Sequence, residues 1–423
     1  MLLSKPADTA SELPGARRLA ALWSPRGWAA FVFGLALLLR CVYALAAPYA
    51  DPFLARSPLL GDAASYDRIA RTLLATGVYG EFAGHPSTFW PPLFPFVLAA
   101  IYGAFGYHLW LARLLLAALG AVLPLCTFLA IERLGLPRTA RWASLATALY
   151  PFLIYFGAWL IAESLYFALM GLVLWLSVRL QQRPSYGGAA LLGLAIGLAA
   201  LAKPTILFQL PFVAIWFVCC LAGAGMSRRL ALGAVAALAL ALALMPWTAR
   251  NYALLGRPVL ISTNGGYTFY GANNADAFGG HYENFPPRIA GLDEAQEQSA
   301  YYGLASSWIR EHPAQFAWLV GQKFKRLVSP LSVASSPHDF AVPGSALIYL
   351  GYSLFLLLSL AGLVLSLKRW RTLFVFYIPL LGVIVSTLLF YGDARYTLPA
   401  VPSLLLFACL GAEAAVRRAR RGV

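Results

Sequence analysis

Ionisable residues stand near the predicted outer ends of helices in several places along the chain. They are Asp62, Glu163, Lys203, Arg250 and the pair Asp393 and Arg395. A charge at membrane depth is costly, so such residues are usually functional. Carboxylates and cations together suit the transfer of a group from an anionic lipid, because the cations stabilise a departing phosphate while a carboxylate deprotonates the attacking hydroxyl. These residue types therefore favour group transfer at one face of a membrane.

Asp62 opens a segment, Gly61 to Ala70, that has the pattern of an amphipathic helix. Asp62 and Tyr66 are four residues apart and therefore share a helix face. Apolar residues on the other side of the helix suit the membrane interface. Asp62 is interpreted either as the N-cap of this helix or as a general base at the membrane surface.

The other ionisable residues have structural interpretations beside functional ones. Glu163 either caps the outer turn of a helix or faces a site. Lys203 either extends to the lipid headgroups or binds an anion. Asp393 and Arg395 are separated by one residue in a short link, so they form either a local ion pair or part of the site.

Arg250 ends an apolar stretch within the segment Pro246–Tyr252. A glycine-rich turn follows at Asn264-Gly265-Gly266-Tyr267. The glycines allow the backbone to approach a ligand closely, although ordinary turn chemistry also explains them. This region is therefore a further candidate for ligand contact.

The composition places these residues in a membrane protein. Of the 423 residues, 60% are hydrophobic and 12% are charged, and the mean hydropathy is +0.70. A soluble domain has about 45–50% apolar and about 25% charged residues, so this chain has too few charges to cover a water-facing surface. The sequence contains no Walker loop or dinucleotide fingerprint, and its short polar links have no room for a domain that holds a nucleotide donor.

We predict an all-α polytopic membrane protein, a bundle of about ten transmembrane helices with juxtamembrane helices and an outer loop domain. Each span must cross about 30 Å of hydrocarbon at about 1.5 Å per residue. A further apolar piece, Pro91–Gly106, is too short to span comfortably, so we expect it to be juxtamembrane or re-entrant. The predicted spans are residues 28–47, 109–131, 142–161, 163–180, 187–202, 204–222, 230–248, 346–367, 372–391 and 397–416.

The positive charge falls on one side of this bundle. Most of the net charge of +15 lies in the N-terminus and in the links at residues 133–141, 179–183, 228–229, 368–371 and 417–421. The positive-inside rule makes these segments cytoplasmic, which accounts for the charge without nucleic acid. The remaining polar segments then face the outside, which is the periplasm for a protein of a bacterial inner membrane.

This topology divides the chain into five parts. They are a cytoplasmic N-terminus (1–27), an N-terminal transmembrane catalytic module (28–248) with a first outer loop (48–108), an outer periplasmic loop (249–345), C-terminal transmembrane helices (346–416) and a cytoplasmic tail (417–423). The second outer loop has ordinary soluble composition. We predict an amphipathic helix there from Asp293 to about His312, and another after Pro313.

A series of short motifs occurs along the chain between about residues 30 and 410. They are Asp62…Tyr66…Ala70, Pro91-Pro92-Leu93, Tyr150-Pro151 before Glu163, Lys203-Pro204-Thr205, the Pro246–Tyr252 segment, Asn264-Gly265-Gly266, and Arg395-Tyr396 with Pro399. Together they resemble the GT-C superfamily of polyprenyl-phosphate-sugar glycosyltransferases. The chain looks most similar to the bacterial branch that contains lipid A aminoarabinose transferases, Rgt-type lipopolysaccharide glycosyltransferases and relatives of protein O-mannosyltransferases.

The resemblance implies a role for each candidate residue. Asp62 would be the catalytic base, preferred over Asp67, and Glu163 would line the cavity as the reserve catalytic carboxylate. Lys203 and Arg250 would contact the lipid phosphate, and Arg395 would contact the phosphate or the acceptor. The substrate-binding candidates are Tyr66, Lys203, Arg250, Tyr267 and Arg395.

Two departures from the family pattern leave the metal and the acceptor open. Aminoarabinose transferases have Glu-Lys before the Pro-Pro pair, where this chain has Phe89-Trp90. Protein mannosyltransferases have Asp-Glu where this chain has Asp62-Ala63. The five cysteines lie in apolar stretches without metal-ligand spacing. We therefore assign no metal ligand and no cofactor, and the need for a divalent metal stays open.

Two functions follow from these observations. The first is a membrane glycosyltransferase that moves a sugar, with inversion, from a polyprenyl-phosphate donor to a glycolipid, lipopolysaccharide or glycan acceptor of the cell envelope at the periplasmic face. The alternative is a multi-pass transporter or lipid-linked-glycan flippase. Broken helices, midplane charges and an internal repeat would favour the alternative. The charges cluster at one face and the halves of the sequence have no visible repeat, so the transferase is preferred.

Overall fold

The structure, a computed structural model, is an all-α bundle, as the sequence predicts. It describes residues 24–50, 59, 61–280, 289–329 and 345–421. Most of the predicted cytoplasmic N-terminus, parts of both outer loops, including 330–344, and the last two residues lie outside the described residues. Helices and turns account for the described chain, without a β-sheet.

The described residues form nine helices before the middle of the chain. They are α1 (Pro25–Ala50), α2 (Asp62–Thr76), α3 (Leu93–Phe105), α4 (Leu109–Gly120), α5 (Val122–Arg133), α6 (Pro137–Leu149), α7 (Pro151–Tyr155), α8 (Glu163–Gln182) and α9 (Tyr186–Ala202). A 3₁₀ turn at Pro204–Gln209 leads into the second half.

The remaining helices include the second outer loop and the C-terminal hairpins. They are α10 (Leu210–Cys220), α11 (Met226–Leu255), α12 (Asn264–Ala272), α13 (Glu294–Glu311), α14 (Pro313–Leu327), α15 (Ser345–Ser366), α16 (Trp370–Leu389), α17 (Ala394–Thr397) and α18 (Val401–Arg421). The helices predicted from Asp293 to about His312 and after Pro313 are confirmed as α13 and α14.

Six helical stretches of the described chain are long and apolar enough to cross a membrane. They are Pro25–Tyr49, Leu109–Arg133, Glu163–Gln182, Met226–Leu255, Leu347–Leu389 and Arg395–Arg420. The stretch Leu347–Leu389 contains both α15 and α16, separated by a 3₁₀ turn at Leu367–Arg369. Three shorter apolar helices, Leu93–Phe105, Tyr186–Ala202 and Pro204–Cys220, accompany them. The predicted count of ten spans is therefore not confirmed.

The predicted span 142–161 is wrong as a single helix. Helix α6 ends at Leu149, and Tyr150 adopts an extended conformation with ψ 116°. Pro151 has no N–H to continue the helical hydrogen bonds and disfavours a helical conformation at the residue before it. Only the short helix α7 follows, and an irregular segment leads from it to Glu163.

Small residues allow the long helices to pack closely. A Cβ at Gly193 of α9 would collide with the carbonyl oxygen of Ala236 in α11. A Cβ at Gly362 of α15 would likewise collide with the carbonyl oxygen of Phe407 in α18. Because hydrocarbon chains are as apolar as the helices, close van der Waals contact of this kind is a main source of helix association in membranes.

The second outer loop is attached to the bundle through Lys323 of α14, which is fully buried. Its Nζ donates to Asn273 Oδ1 at 2.7 Å and to the carbonyls of Leu388 and Leu389 at the end of α16 at 3.4 Å. The loop therefore lies against the chain segment that carries Arg395.

Candidate active site

Local chain geometry fixes the position of each candidate side chain. Gly61 has φ +52°, a conformation that favours glycine, and the helix after it begins with Asp62. Lys203 is extended because Pro204 follows it, so it lies between α9 and the 3₁₀ turn and belongs to neither. Glu163 is the first residue of α8. Arg395 lies in α17, whose N-terminus is capped by Asp393.

Four of the predicted residues come together in one ionic cluster. Lys203 Nζ lies 2.8 Å from Glu163 Oε1, and Arg395 Nε lies 3.4 Å from the same oxygen. Arg395 Nη1 lies 3.4 Å from Asp62 Oδ2. The cluster thus has two carboxylates and two cations, contributed by four separate segments. Pairing of this kind is how ionised groups are accommodated near membrane depth.

The two carboxylates of the ionic cluster differ in access. The Glu163 side chain is 5% exposed, whereas 40% of the Asp62 side chain is exposed. Glu163 therefore serves Lys203 and Arg395 from inside the protein. Asp62 is accessible, and among the residues that the structure describes its ion pair is the long contact with Arg395, so it is the carboxylate that an incoming hydroxyl can reach.

Several structural interpretations of these residues are wrong. Asp62 follows the N-cap, which is Gly61, and makes no capping hydrogen bond. Lys203 Nζ donates to Glu163, with the side chain 17% exposed, so the side chain does not simply extend to the headgroups. Asp393 Oδ1 accepts from the backbone N–H of Arg395 at 2.7 Å, and the Arg395 guanidinium reaches the cluster.

Aromatic side chains surround the cations. The Tyr396 ring lies 4.7 Å from Lys203 Nζ and 5.3 Å from Arg395 Cζ, within the range of cation–π attraction. Its hydroxyl accepts from Arg395 Nη2 at 3.2 Å and lies 2.9 Å from the Tyr391 hydroxyl. Tyr391 and Tyr396 were not among the predicted site residues, although the sequence places Tyr396 directly beside Arg395.

Tyr66 lies one turn after Asp62 and packs edge-on against Trp90 and Phe94, with ring centroids 5.1 Å apart in each case. Burial, and then the negative charges of Asp62 and Glu163, raise the pKa of Tyr66 well above its ordinary value. Its hydroxyl therefore stays protonated and able to donate a hydrogen bond beside the ionic cluster.

Arg250 has other partners. Its Nη1 donates to the Ser87 carbonyl at 2.7 Å and its Nη2 to the Tyr79 carbonyl at 3.3 Å. The guanidinium also lies 4.7 Å from the Trp247 ring. These contacts connect the end of α11 to the first outer loop and do not include the ionic cluster, so contact with a lipid phosphate stays a prediction for Arg250.

Tyr267 likewise lies in aromatic contacts outside the ionic cluster. Its ring is 5.9 Å from that of Phe89 and 5.8 Å from that of Tyr301, with edge-on geometry in both cases. These contacts join the first and second outer loops, and a direct role of Tyr267 in substrate binding stays a prediction.

Sequence reasoning missed Glu294, which binds the two outer loops together. Its carboxylate accepts from the Thr88 N–H and Thr88 Oγ1, both at 2.6 Å, and from Ser87 Oγ at 2.7 Å. Glu294 and Arg250 therefore hold the segment 79–88 from opposite elements. In the sequence, Glu294 is indistinguishable from an acidic residue in the first turn of a helix.

Asp67 is unsuited to act as a base in this arrangement. It is fully buried, and it accepts from Arg71 Nε at 2.8 Å and Tyr102 Oη at 3.0 Å. The Asp67 carboxylate oxygens are thus occupied by Arg71 on the same helix and by Tyr102 of α3, and the latter bond joins α2 to α3. Asp67 is therefore a structural carboxylate on the same helix as Asp62, and it offers a matched comparison for it.

A polar cleft adjoins the ionic cluster on the side of Lys203. Its polar lining consists of Tyr166, Lys203, Thr205, Gln209, Ser386 and Tyr396. The cleft has a volume of only about 10 Å³, so it places the Lys203 cation beside these hydroxyl and amide groups without forming a ligand cavity. Across the described residues, no group of three or more His, Cys, Asp or Glu side chains is arranged to hold a metal ion.

Comparisons with known proteins identify the fold. The structure is similar to the crystal structure of an oligosaccharyltransferase from Archaeoglobus fulgidus that is tethered to an acceptor peptide containing the NVT sequon, with a TM-score of 0.54 and 14% sequence identity over 92% of this chain and 50% of that one. This chain thus spans half the length of that transferase. This similarity concerns the fold, and the chain therefore has a GT-C-like fold, as the sequence motifs predict.

Two further similarities concern ArnT from Cupriavidus metallidurans. The crystal structure bound to undecaprenyl phosphate has a TM-score of 0.44 and 18% identity, covering 92% of this chain and 79% of that one. The apo structure has a TM-score of 0.42 and 18% identity, covering 92% and 78%. No protein-family model and no curated protein sequence matches the chain.

Proposed function

We propose that this protein is a membrane glycosyltransferase that moves a sugar from a polyprenyl monophosphate to a glycolipid, lipopolysaccharide or glycan acceptor of the cell envelope. One observation carries the proposal: Asp62, Glu163, Lys203 and Arg395 form a single ionic cluster on a GT-C fold. The cluster pairs an accessible carboxylate with two cations, and these are the two kinds of group that the reaction needs.

The two cations serve the donor phosphate. When the bond between the anomeric carbon and the phosphate oxygen breaks, the phosphate gains a negative charge. Lys203 Nζ and the Arg395 guanidinium lie on either side of one Glu163 oxygen, at 2.8 and 3.4 Å. Glu163 therefore keeps both cations in place before the donor binds. The two cations then stabilise the negative charge of the departing phosphate, so that no strong acid is needed.

Asp62 serves the acceptor as a general base. It takes the proton of the acceptor hydroxyl while the hydroxyl oxygen bonds to the anomeric carbon and the polyprenyl phosphate departs with the electron pair of the broken bond. A single displacement of this kind inverts the anomeric configuration. Retention would need a carboxylate nucleophile beside a second acid, about 5 Å away in soluble glycosidases. In this cluster the second carboxylate, Glu163, is already paired with Lys203 and Arg395, so it is not available as that acid.

The active site would face the periplasm of a bacterial inner membrane. The basic links at residues 133–141, 179–183 and 228–229 are separated from the cluster by the lengths of their helices, because Glu163 and Gln182 are at opposite ends of α8. If the basic links are cytoplasmic, the cluster lies at the outer surface. A lipid-linked donor suits this side, where nucleotide sugars are absent.

The experiment is transfer by the purified full-length chain in detergent or nanodiscs. With a radiolabelled sugar on polyprenyl monophosphate and a mixed extract of envelope glycolipids, we expect a new labelled product. Full activity with a nucleotide sugar in the absence of a lipid donor would contradict the donor assignment. Movement of the donor across the bilayer without a new glycosidic bond would instead support the transporter.

A further inference from the structure

Arg40 is a buried cation in the middle of α1, within the apolar stretch Pro25–Tyr49. It is 1% exposed. In the part of the chain that the structure describes, its hydrogen bonds are to backbone carbonyls, and it forms no ion pair with a carboxylate. A cation at membrane depth without a counter-charge is costly, so its presence calls for a specific contact.

The contact is with the end of α6. Arg40 Nη1 donates to the Ala148 carbonyl at 3.3 Å and to the Ala36 carbonyl of its own helix at 3.2 Å. The last carbonyls of a helix have no partner within the helix, and because α6 ends at Leu149 with Tyr150 extended, the Ala148 carbonyl is one of them. No water donates to that carbonyl in hydrocarbon. Arg40 therefore supplies a donor to a helix end that is broken inside the bundle.

Gly120 lies next to the Arg40 side chain and also next to Ser164 near the start of α8. A Cβ at Gly120 would be 3.3 Å from both Arg40 Cδ and Arg40 Nε, and 3.9 Å from Ser164 Oγ. A Cβ at Gly157 would be 3.8 Å from Arg40 Cγ. Arg40 therefore contacts Ala148 just before the segment 150–162, which comprises α7 and the irregular residues after it, and lies beside Gly157 within it. Gly120 leaves the space that the Arg40 side chain occupies.

That segment determines where Glu163 lies, because Glu163 is the first residue after it and precedes Ser164. Glu163 in turn holds Lys203 and Arg395. We infer that Arg40 is a positioning residue: it bonds the end of α6, braces the segment 150–162 and thereby sets the place of Glu163 and of the two cations. This inference rests on the proposed function for its effect on turnover, and on the contacts alone for its effect on the segment.

The test replaces Arg40 by Met, Lys or Gln. Arg40→Met removes the donor but keeps an unbranched side chain, and it takes a charge out of the apolar stretch, where a charge is costly. We expect its kcat to fall at least tenfold while the KM for the lipid donor changes less than threefold. Arg40→Lys, which can still donate to Ala148, should recover kcat to within threefold of the wild type. Arg40→Gln ends two bonds short of Nη1 and should behave like Met.

Amide hydrogen exchange separates positioning from general stability and needs no turnover. In Arg40→Met, peptides covering 150–163 should exchange faster, while those of α15 and α18 should stay unchanged; in Arg40→Lys, no peptide should change. If the wild type transfers no sugar, the proposed function fails. The amide hydrogen exchange of residues 150–163 still shows whether Arg40 stabilises that segment. Unchanged exchange and a kcat within twofold in Arg40→Met would overturn the inference, as would loss of folding in both the Met and Gln variants.

A pair of glycine variants tests the same contact from another helix. Gly120→Ala places a Cβ 3.3 Å from Arg40 Cδ, so the side chain must shift by a few tenths of an ångström. We expect kcat to fall two- to fivefold, with faster exchange in 150–163. Gly34→Ala lies in α1 with no heavy atom within 4 Å of the new Cβ, and it should leave both unchanged. Equal behaviour of the two variants would count against the inference.

Discussion

Glu163 accepts from Lys203 and pairs with Arg395 through the same oxygen, so one buried carboxylate organises both cations. A bound phosphate would add its oxygens to cations that are already in place, and little reorganisation would accompany the reaction. Asp62 joins them through a contact of 3.4 Å with Arg395. The two carboxylates therefore have different roles: the buried Glu163 positions the two cations, and the accessible Asp62 is the proposed base.

Removal of Lys203 should weaken use of the donor. Lys203→Ala deletes one charge-assisted hydrogen bond to the phosphate, so we expect kcat/KM for the lipid donor to fall by about 1–3 kcal/mol, or about 5- to 150-fold. Steady-state kinetics with varied donor concentration measures this. Lys325→Ala, which removes an exposed lysine on α14, is the control and should retain wild-type kinetics. Equal kinetics in the two variants would exclude Lys203 from the donor site.

The sequence predicts the members of the ionic cluster but not their pairing. Charges at the ends of apolar stretches single out Asp62, Glu163, Lys203 and Arg395 by cost alone. Asp62 and Arg395 are 333 positions apart, so nothing local relates them. Arg250 has the same sequence signal, yet its donors bind backbone carbonyls. Every residue has a backbone carbonyl, so the sequence does not show which carbonyls the Arg250 side chain binds.

Contacts of Glu294, Arg250 and Lys323 hold the outer loops to each other and to the bundle. Glu294 at the start of α13 and Arg250 at the end of α11 hold the segment 79–88. Lys323 of α14 holds the end of α16. At the scale of elements, both outer loops are therefore fixed close to the helices that carry Asp62 and Arg395.

Docking of α14 should depend on pH through Lys323. Burial lowers the pKa of Lys323 to about 7, against about 10.4 in an unfolded chain. Between these values the unfolded state binds more protons, so stability rises with pH across the window and is lost as the pH falls toward about 7, by up to about 1.4 kcal/mol per pH unit. Thermal unfolding at pH 7.5, 8.5 and 9.5 measures the slope.

Lys323→Met is the control for this pH dependence. The variant keeps the length of the side chain without a titrating group, so its unfolding temperature should vary less with pH than that of the wild type. Parallel slopes in the two proteins would mean that Lys323 does not titrate in this window.

Local signals explain which elements could be predicted. Helix α13 has a complete capping box, in which Asp293 accepts from Gln296 N–H and the Gln296 side chain accepts from Asp293 N–H, and such pairs are readable in sequence. The break after Leu149 was missed because residues 142–161 are apolar enough to resemble one span. Pro151 was visible in the motif, but hydropathy alone does not record a lost N–H.

Orientation of the whole molecule rests on the distribution of basic residues. We predict an even number of spans, with both termini in the cytoplasm and residues 250–343 outside. Helix α3 has 13 residues, about 20 Å at 1.5 Å per residue, which is shorter than the hydrocarbon. It should therefore not cross. Reporter fusions after Gly106 and Arg138 should place the first outside and the second inside, and the opposite result would reverse the topology.

The decisive measurement compares Asp62→Asn with Asp67→Asn on the same helix, using a polyprenyl-phosphate sugar of known anomeric configuration. Asn keeps the shape of Asp62 and cannot accept the proton, so we predict that turnover falls at least 100-fold with donor binding retained, as expected for loss of a general base. Asp67→Asn should lower stability and retain most turnover, and the residual product should have the inverted configuration. Near-normal turnover in Asp62→Asn would contradict the role of Asp62 as the general base. A product that keeps the donor's configuration would contradict the inverting displacement.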